Sequence, residues 1–132
     1  MGVSVTERIG GGCLCGDIRY AISGDAQLQL FCFCAACRRR SGTDGYAGYM
    51  VKDEVFSVLQ GTASVYERSS EAGRTVQLHF CGRCGSNLWG ATELGLTSVA
   101  AGSLDDPELF QPDRAVFLHE APTWARVPEG MA

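Results

Sequence analysis

Apolar residues in this chain come in short runs broken by glycine and polar clusters. Ile18, Tyr20 and Ile22 alternate with Arg19 and Ala21, the two-residue period of a half-buried strand. Strands are likewise expected at Leu28 to Phe31, Tyr46 to Val51, Val55 to Leu59, Ala63 to Tyr66 and Thr75 to Phe80. Later ones are expected at Asn87 to Trp89, Thr97 to Ala101 and Ala115 to Leu118. Segments such as Ser69-Ser70-Glu71-Ala72-Gly73 supply the turns. No window of about 12 residues keeps a helical period. Single turns fit Ala35 to Arg40 and Pro107 to Phe110. The pattern predicts one all-β domain over residues 11–129, behind a loose lead-in at residues 1–10 and before a frayed tail at Pro128 to Ala132. Trp89, Trp124 and the phenylalanines read as core.

Composition narrows the class. The chain has 132 residues, enough for one domain, and 17 glycines, which suits a turn-rich β fold. Its formal charge is −4, and thiolates bound to metal would make it more negative. That argues against nucleic acid as a partner, and Arg38-Arg39-Arg40 is too short a basic run to reverse it. No basic start with an apolar stretch marks a signal peptide, and no apolar run nears the ~18 residues of a membrane span. Met1 to Thr6 fits the loose myristoylation pattern, with nothing else to support an anchor. A cytoplasmic setting without a membrane partner is expected. Homo-oligomerisation is compatible with the sequence, but no apolar stripe demands it.

The seven cysteines change the picture most. They fall as Cys13-Leu14-Cys15, Cys32-Phe33-Cys34-Ala35-Ala36-Cys37 and Cys81-Gly82-Arg83-Cys84. An odd count at C-x-C and C-x-x-C spacing reads poorly as a disulfide framework and well as metal sites in a reducing compartment. Cys81 to Cys84 reads as a zinc knuckle, with Gly85 suited to positive φ. In an extended segment Cys13 and Cys15 point to one face and would complete a four-thiolate site. Cys32, Cys34 and Cys37 would then hold a second zinc with its fourth position open to water or substrate. Zinc keeps a bound thiol deprotonated near neutral pH. The neighbouring arginines either offset the thiolate charge and attract an anionic substrate or form a solvated surface run. A mixed ligand set, or one metal with spare thiols, also satisfies the spacing.

The chain resembles the glutathione-dependent formaldehyde-activating family, which includes the centromere protein V-like domains. The resemblance rests on Gly12-Cys13-Leu14-Cys15-Gly16 with Ile18-Arg19-Tyr20, and on Cys32-Phe33-Cys34-Ala35-Ala36-Cys37-Arg38-Arg39 with Gly42. It extends through Phe80-Cys81-Gly82-Arg83-Cys84-Gly85-Ser86, then Gly102-Ser103-Leu104-Asp105-Asp106-Pro107, Pro112 and Trp124. It implies a zinc-stapled β-tent of small antiparallel sheets. Cys13, Cys15, Cys81 and Cys84 would hold a structural zinc. Cys32, Cys34 and Cys37 would hold a catalytic or substrate-recruited one, with Arg38 and Arg39 toward substrate. The implied activity is carbon–sulfur lyase chemistry, joining a thiol such as glutathione to a small aldehyde such as formaldehyde. The chain departs from the family pattern at Phe33 and Arg114, where many members carry histidine.

Two other functions fit the residues: a non-catalytic zinc scaffold or small-molecule-binding module, and a thiol redox enzyme, which needs a free cysteine of low pKa. His79 and His119 read as structural or surface groups. Asp105-Asp106-Pro107 reads as a turn that starts the following segment. Phe33 or Tyr49 is the expected aromatic wall of the open site.

Overall fold

The computed structural model describes residues 8–131. The Met1 to Thr6 pattern, most of the lead-in and Ala132 lie outside the described residues. In chain order the elements are β1 (Ile9–Gly12), β2 (Arg19–Ile22), β3 (Leu28–Cys32), α1 (Ala35–Ser41), β4 (Tyr46–Lys52) and β5 (Phe56–Gln60). They continue as β6 (Ser64–Ser69), β7 (Thr75–Phe80), β8 (Asn87–Ala91), β9 (Leu96–Ala100) and β10 (Arg114–Val116). The fold is all-β and single-domain, with one α-helix among the described residues and short 3-10 turns between strands. No helix among the described residues is long and apolar enough to cross a membrane.

The strands form two sheets, one of three strands in the order β1-β2-β5 and one of seven in the order β10-β3-β4-β9-β8-β7-β6. All pairs are antiparallel except β3 with β10, which run parallel. The parallel pair arises because β10 returns by a long connection from β9 rather than by a hairpin. β10 also stops short of the expected Leu118. Phe117 takes φ 56°, ψ 39°, a left-handed conformation that breaks the ladder and opens the 3-10 turn Leu118–Glu120.

β1 was not expected as a strand, because Ile9-Gly10-Gly11-Gly12 carries almost no side-chain pattern. It forms because β2 offers it a partner, with Gly11 opposite Tyr20. Tyr20 is 1% exposed and lies between the sheets. Its ring centroid is 5.3 Å from that of Phe56 and 6.2 Å from that of Trp89, and its hydroxyl meets Ser103 Oγ at 2.6 Å. Ile22, Val51, Leu88 and Val99 complete this main core. Trp89 is therefore core, as expected. Trp124 is not: it is 66% exposed. It follows the last strand, in a tail segment that belongs to neither sheet.

Close approach of the Tyr20 ring is what β1 needs glycine for: a Cβ on Gly11 would overlap the ring and its hydroxyl. Gly11→Ala should therefore destabilise the fold by ~1–3 kcal/mol, the usual cost of overpacking, read as a lowered midpoint in denaturant unfolding.

Candidate metal centres

The four-cysteine cluster forms where two loops meet, one joining β1 to β2 and the other joining β7 to β8. Each loop is a tight turn closed by a left-handed glycine. Gly16 (φ 84°) donates to the Cys13 carbonyl at 3.2 Å, and Gly85 (φ 80°) donates to the Cys81 carbonyl at 2.8 Å. Backbone amides aim at the sulfurs: Ile18 N–H to Cys13 Sγ at 3.2 Å and Cys84 N–H to Cys81 Sγ at 3.4 Å. Ser86 locks the two loops together, its Oγ accepting from Leu14 N at 3.0 Å and lying 3.2 Å from Cys84 Sγ. The Ser86 hydroxyl, with the backbone amides of Ser86 and Cys15, pulls the Cys84 thiol down to about 5. Cys13 Sγ lies 3.6 Å from Cys15 Sγ, and Cys15 Sγ lies 3.7 Å from Cys81 Sγ. A tetrahedron with ~2.3 Å metal–sulfur bonds has edges of ~3.8 Å. The cluster thus has the dimensions of a four-thiolate metal site, and its all-sulfur donor set is compatible with zinc.

The second cluster sits where β3 runs into α1. Cys32 ends β3, and Cys34 is the N-cap of α1, its sulfur accepting from Cys37 N at 3.3 Å. A helical first turn brings the N-cap and the third residue after it together, which is why the C-x-x-C sulfurs converge. Cys32, Cys34 and Cys37 place their sulfurs within 4.8 Å of one another. The Cys37 thiol donates to Cys32 and holds Cys32 down to about 6. Cys37 is pushed far up by that same bond, and burial raises Cys34. Three thiolates this close would repel one another, so a cation among them would favour their full ionisation.

All three cysteines of this cluster line a cleft of about 670 Å³, whereas Cys13 alone of the first cluster lines one, of about 640 Å³. Leu30, Met50, Val76, Leu78 and Val116 make one side of the three-cysteine cleft apolar, and Arg40, Arg68 and Arg74 line it with Glu71 and Glu120. Its aromatic walls are Tyr46 and Phe117. The expected aromatics lie elsewhere. Phe33 is 1% exposed and fills the space that Gly45 leaves by having no side chain, and Tyr49 belongs to the main core. Arg38 and Arg39 lie on α1 beside the cleft, while Arg40 lines it.

The histidines sit apart. His79 stacks on Trp89 with centroids 4.8 Å apart, and burial lowers its pKa. His119 is exposed, its Nε2 3.7 Å from Glu120. Asp105 pairs with Arg19 through both carboxylate oxygens, and Asp106 caps the Pro107–Leu109 turn by accepting from Glu108 N at 3.1 Å. The turn reading of that segment holds. Glu120 was not anticipated. Its Oε1 accepts from Ala35 N at 3.0 Å, at the first residue of α1. No local motif marks it, because the fold alone brings the Leu118–Glu120 turn against the cysteines.

The family model described as "Glutathione-dependent formaldehyde-activating enzyme" matches residues 8–120. The chain belongs to that family. Within it, the chain is similar to a Halomonas elongata protein named "Putative glutathione-dependent formaldehyde-activating enzyme". The two are 27% identical over 124 residues, covering 89% of this chain and 79% of the relative. The fold is also similar to the crystal structure of a Rhodobacter sphaeroides protein, with a TM-score of 0.59 and 20% identity. That match covers 78% of this chain and 96% of the other.

Cys81→Ala leaves the first cluster one sulfur short. Elemental analysis should show loss of bound metal from that variant, and its unfolding free energy should fall by several kcal/mol, the scale set by structural metal sites.

Proposed function

We propose that this protein is a zinc-dependent carbon–sulfur lyase that joins glutathione, or a closely similar thiol, to formaldehyde or another small aldehyde. Cys13, Cys15, Cys81 and Cys84 hold the structural zinc in this reading. Cys32, Cys34 and Cys37 hold the catalytic one. The observation that carries it is the contrast between a cluster of four sulfurs, enough to fill a tetrahedral shell, and a cluster of three, all of which line one cleft. Membership of the family supports the substrates.

Zinc in the three-cysteine site supplies a Lewis acid that favours the thiolate form of a thiol at its open position. In the reaction the thiol sulfur forms a bond to the aldehyde carbon, the carbon–oxygen π bond breaks, and the thiol proton ends on the new hydroxyl oxygen. The chain's own groups position this chemistry. The first turn of α1 fixes Cys34 and Cys37 relative to each other, and β3 fixes Cys32. Glu120 holds the start of α1 through Ala35 and is the carboxylate available for proton movement on that side of the cleft. Arg38 and Arg39 add positive charge on α1 toward an anionic substrate.

Cys34→Ser is the informative variant. Serine is itself a strong N-cap, so α1 should survive with a stability change within ~1 kcal/mol while the third thiolate is lost. Formation of the hydroxymethyl thioether, followed by NMR with labelled formaldehyde, should fall to the uncatalysed rate. A variant as fast as wild type would refute the lyase and favour a scaffold.

A further inference from the structure

The cleft beside the three cysteines contains more positive charge than its own contacts use. Arg40 comes from the last turn of α1, and its guanidinium lies 4.5 Å over the Tyr46 ring. One nitrogen donates to Asn87 Oδ1 at 3.0 Å, while Nε is buried with no hydrogen-bond partner. β8 makes room for it: a Cβ on Gly90 would stand 3.2 Å from Arg40 Nη1. A buried guanidinium nitrogen left without an acceptor is costly, so its placement calls for an anion that arrives with a ligand.

Two further guanidiniums line the same cleft from the β6–β7 hairpin. Arg68 lies on β6 opposite Val76, and Arg74 ends the turn that leads into β7. The turn is fixed by Ser70, whose N–H donates to the Arg74 carbonyl at 2.7 Å and whose Oγ accepts from Arg74 N at 3.2 Å. Among the described residues, Arg40, Arg68 and Arg74 take part in none of the four ion pairs. Of the two acids on the cleft, Glu120 already accepts from the start of α1, and Glu71 pairs with no cation among the described residues. The cleft is also lined by Phe117, held in a left-handed conformation that bulky residues rarely adopt. Such strain is concentrated where a ligand is gripped.

We propose that Arg40, Arg68 and Arg74 form a carboxylate-binding subsite that makes the cleft selective for thiols bearing two carboxylates. Arg40 forms its floor, and the β6–β7 hairpin brings the other two to its rim. The ligand's sulfur reaches toward Cys32, Cys34 and Cys37 while its carboxylates rest on guanidiniums, which bind them by paired charge-assisted hydrogen bonds. This inference rests on the thiol-binding reading of the site and assigns the residues that select the thiol.

Binding can be tested apart from catalysis with S-methylglutathione, whose sulfur cannot ionise, and with its diethyl ester, which lacks both carboxylate charges. By calorimetry, wild type should bind S-methylglutathione at least ~10-fold more tightly than the ester, the scale of one charge-assisted contact. Arg68→Gln with Arg74→Gln should erase that preference at an unchanged unfolding midpoint, and the two lysine replacements should restore part of it. Equal affinity of wild type for acid and ester would overturn the proposal, as would an unaltered preference in the double glutamine variant. Retained selectivity in a protein without turnover would uphold the subsite and count only against the lyase reading.

Discussion

The four-sulfur cluster is the clamp on which the rest of the structure depends. Cys13 and Cys15 belong to a loop of the three-stranded sheet, and Cys81 and Cys84 belong to a loop of the seven-stranded sheet. The Cys15–Cys81 contact spans 66 positions of sequence, and a bound metal would remove much of the chain entropy opposing that closure. Around the clamp the three-stranded sheet is also tied to the segment after β9 by the Tyr20–Ser103 hydrogen bond, the Arg19–Asp105 ion pair and the isolated bridge from Gly11 to Leu104. The aromatic wedge of Tyr20, Phe56 and Trp89 fills the space between the two sheets. A small domain with a core this concentrated would gain from a metal staple what it lacks in buried area.

Both clusters use the same chemistry of convergent thiols, and their surroundings separate the roles. At the clamp, one left-handed glycine closes each loop, and Ser86 ties the two loops together. At the end of β3, a helix start takes the place of a second knuckle. The sulfurs then face a cleft with an apolar side, aromatic walls and guanidiniums that lack anionic partners. Four sulfurs would fill a tetrahedral shell, and three would leave one position in it. The fold gathers the sulfurs four and three, into two clusters that could each hold a metal ion.

Much of the fold was legible because β strands in a half-buried sheet leave a period-two trace, as Ile18, Tyr20 and Ile22 do. The short helix was legible through the C-x-x-C turn. β1 was not, since Ile9-Gly10-Gly11-Gly12 is selected for what it lacks, namely a side chain under the Tyr20 ring. The cleft was the least legible part. The run Arg38-Arg39-Arg40 marks positive charge beside Cys37, and in a helix the member that shares a face with Cys37 is three positions on, at Arg40. That spacing was a usable signal. Arg68, Arg74 and Glu120 carried none, because only the hairpin and the turn after β10 bring them to the cysteines. Trp124 reads as core by residue type alone, but it follows the last strand and is 66% exposed.

The central claim is that seven thiolates divide four and three between two zinc ions. X-ray absorption at the zinc edge, on protein purified without chelators and with zinc per chain measured in the same sample, tests it most directly. The account predicts about two zincs per chain and an average shell of about 3.5 sulfurs at ~2.3 Å with a lighter oxygen or nitrogen contribution. One zinc per chain in a pure four-sulfur shell would contradict it.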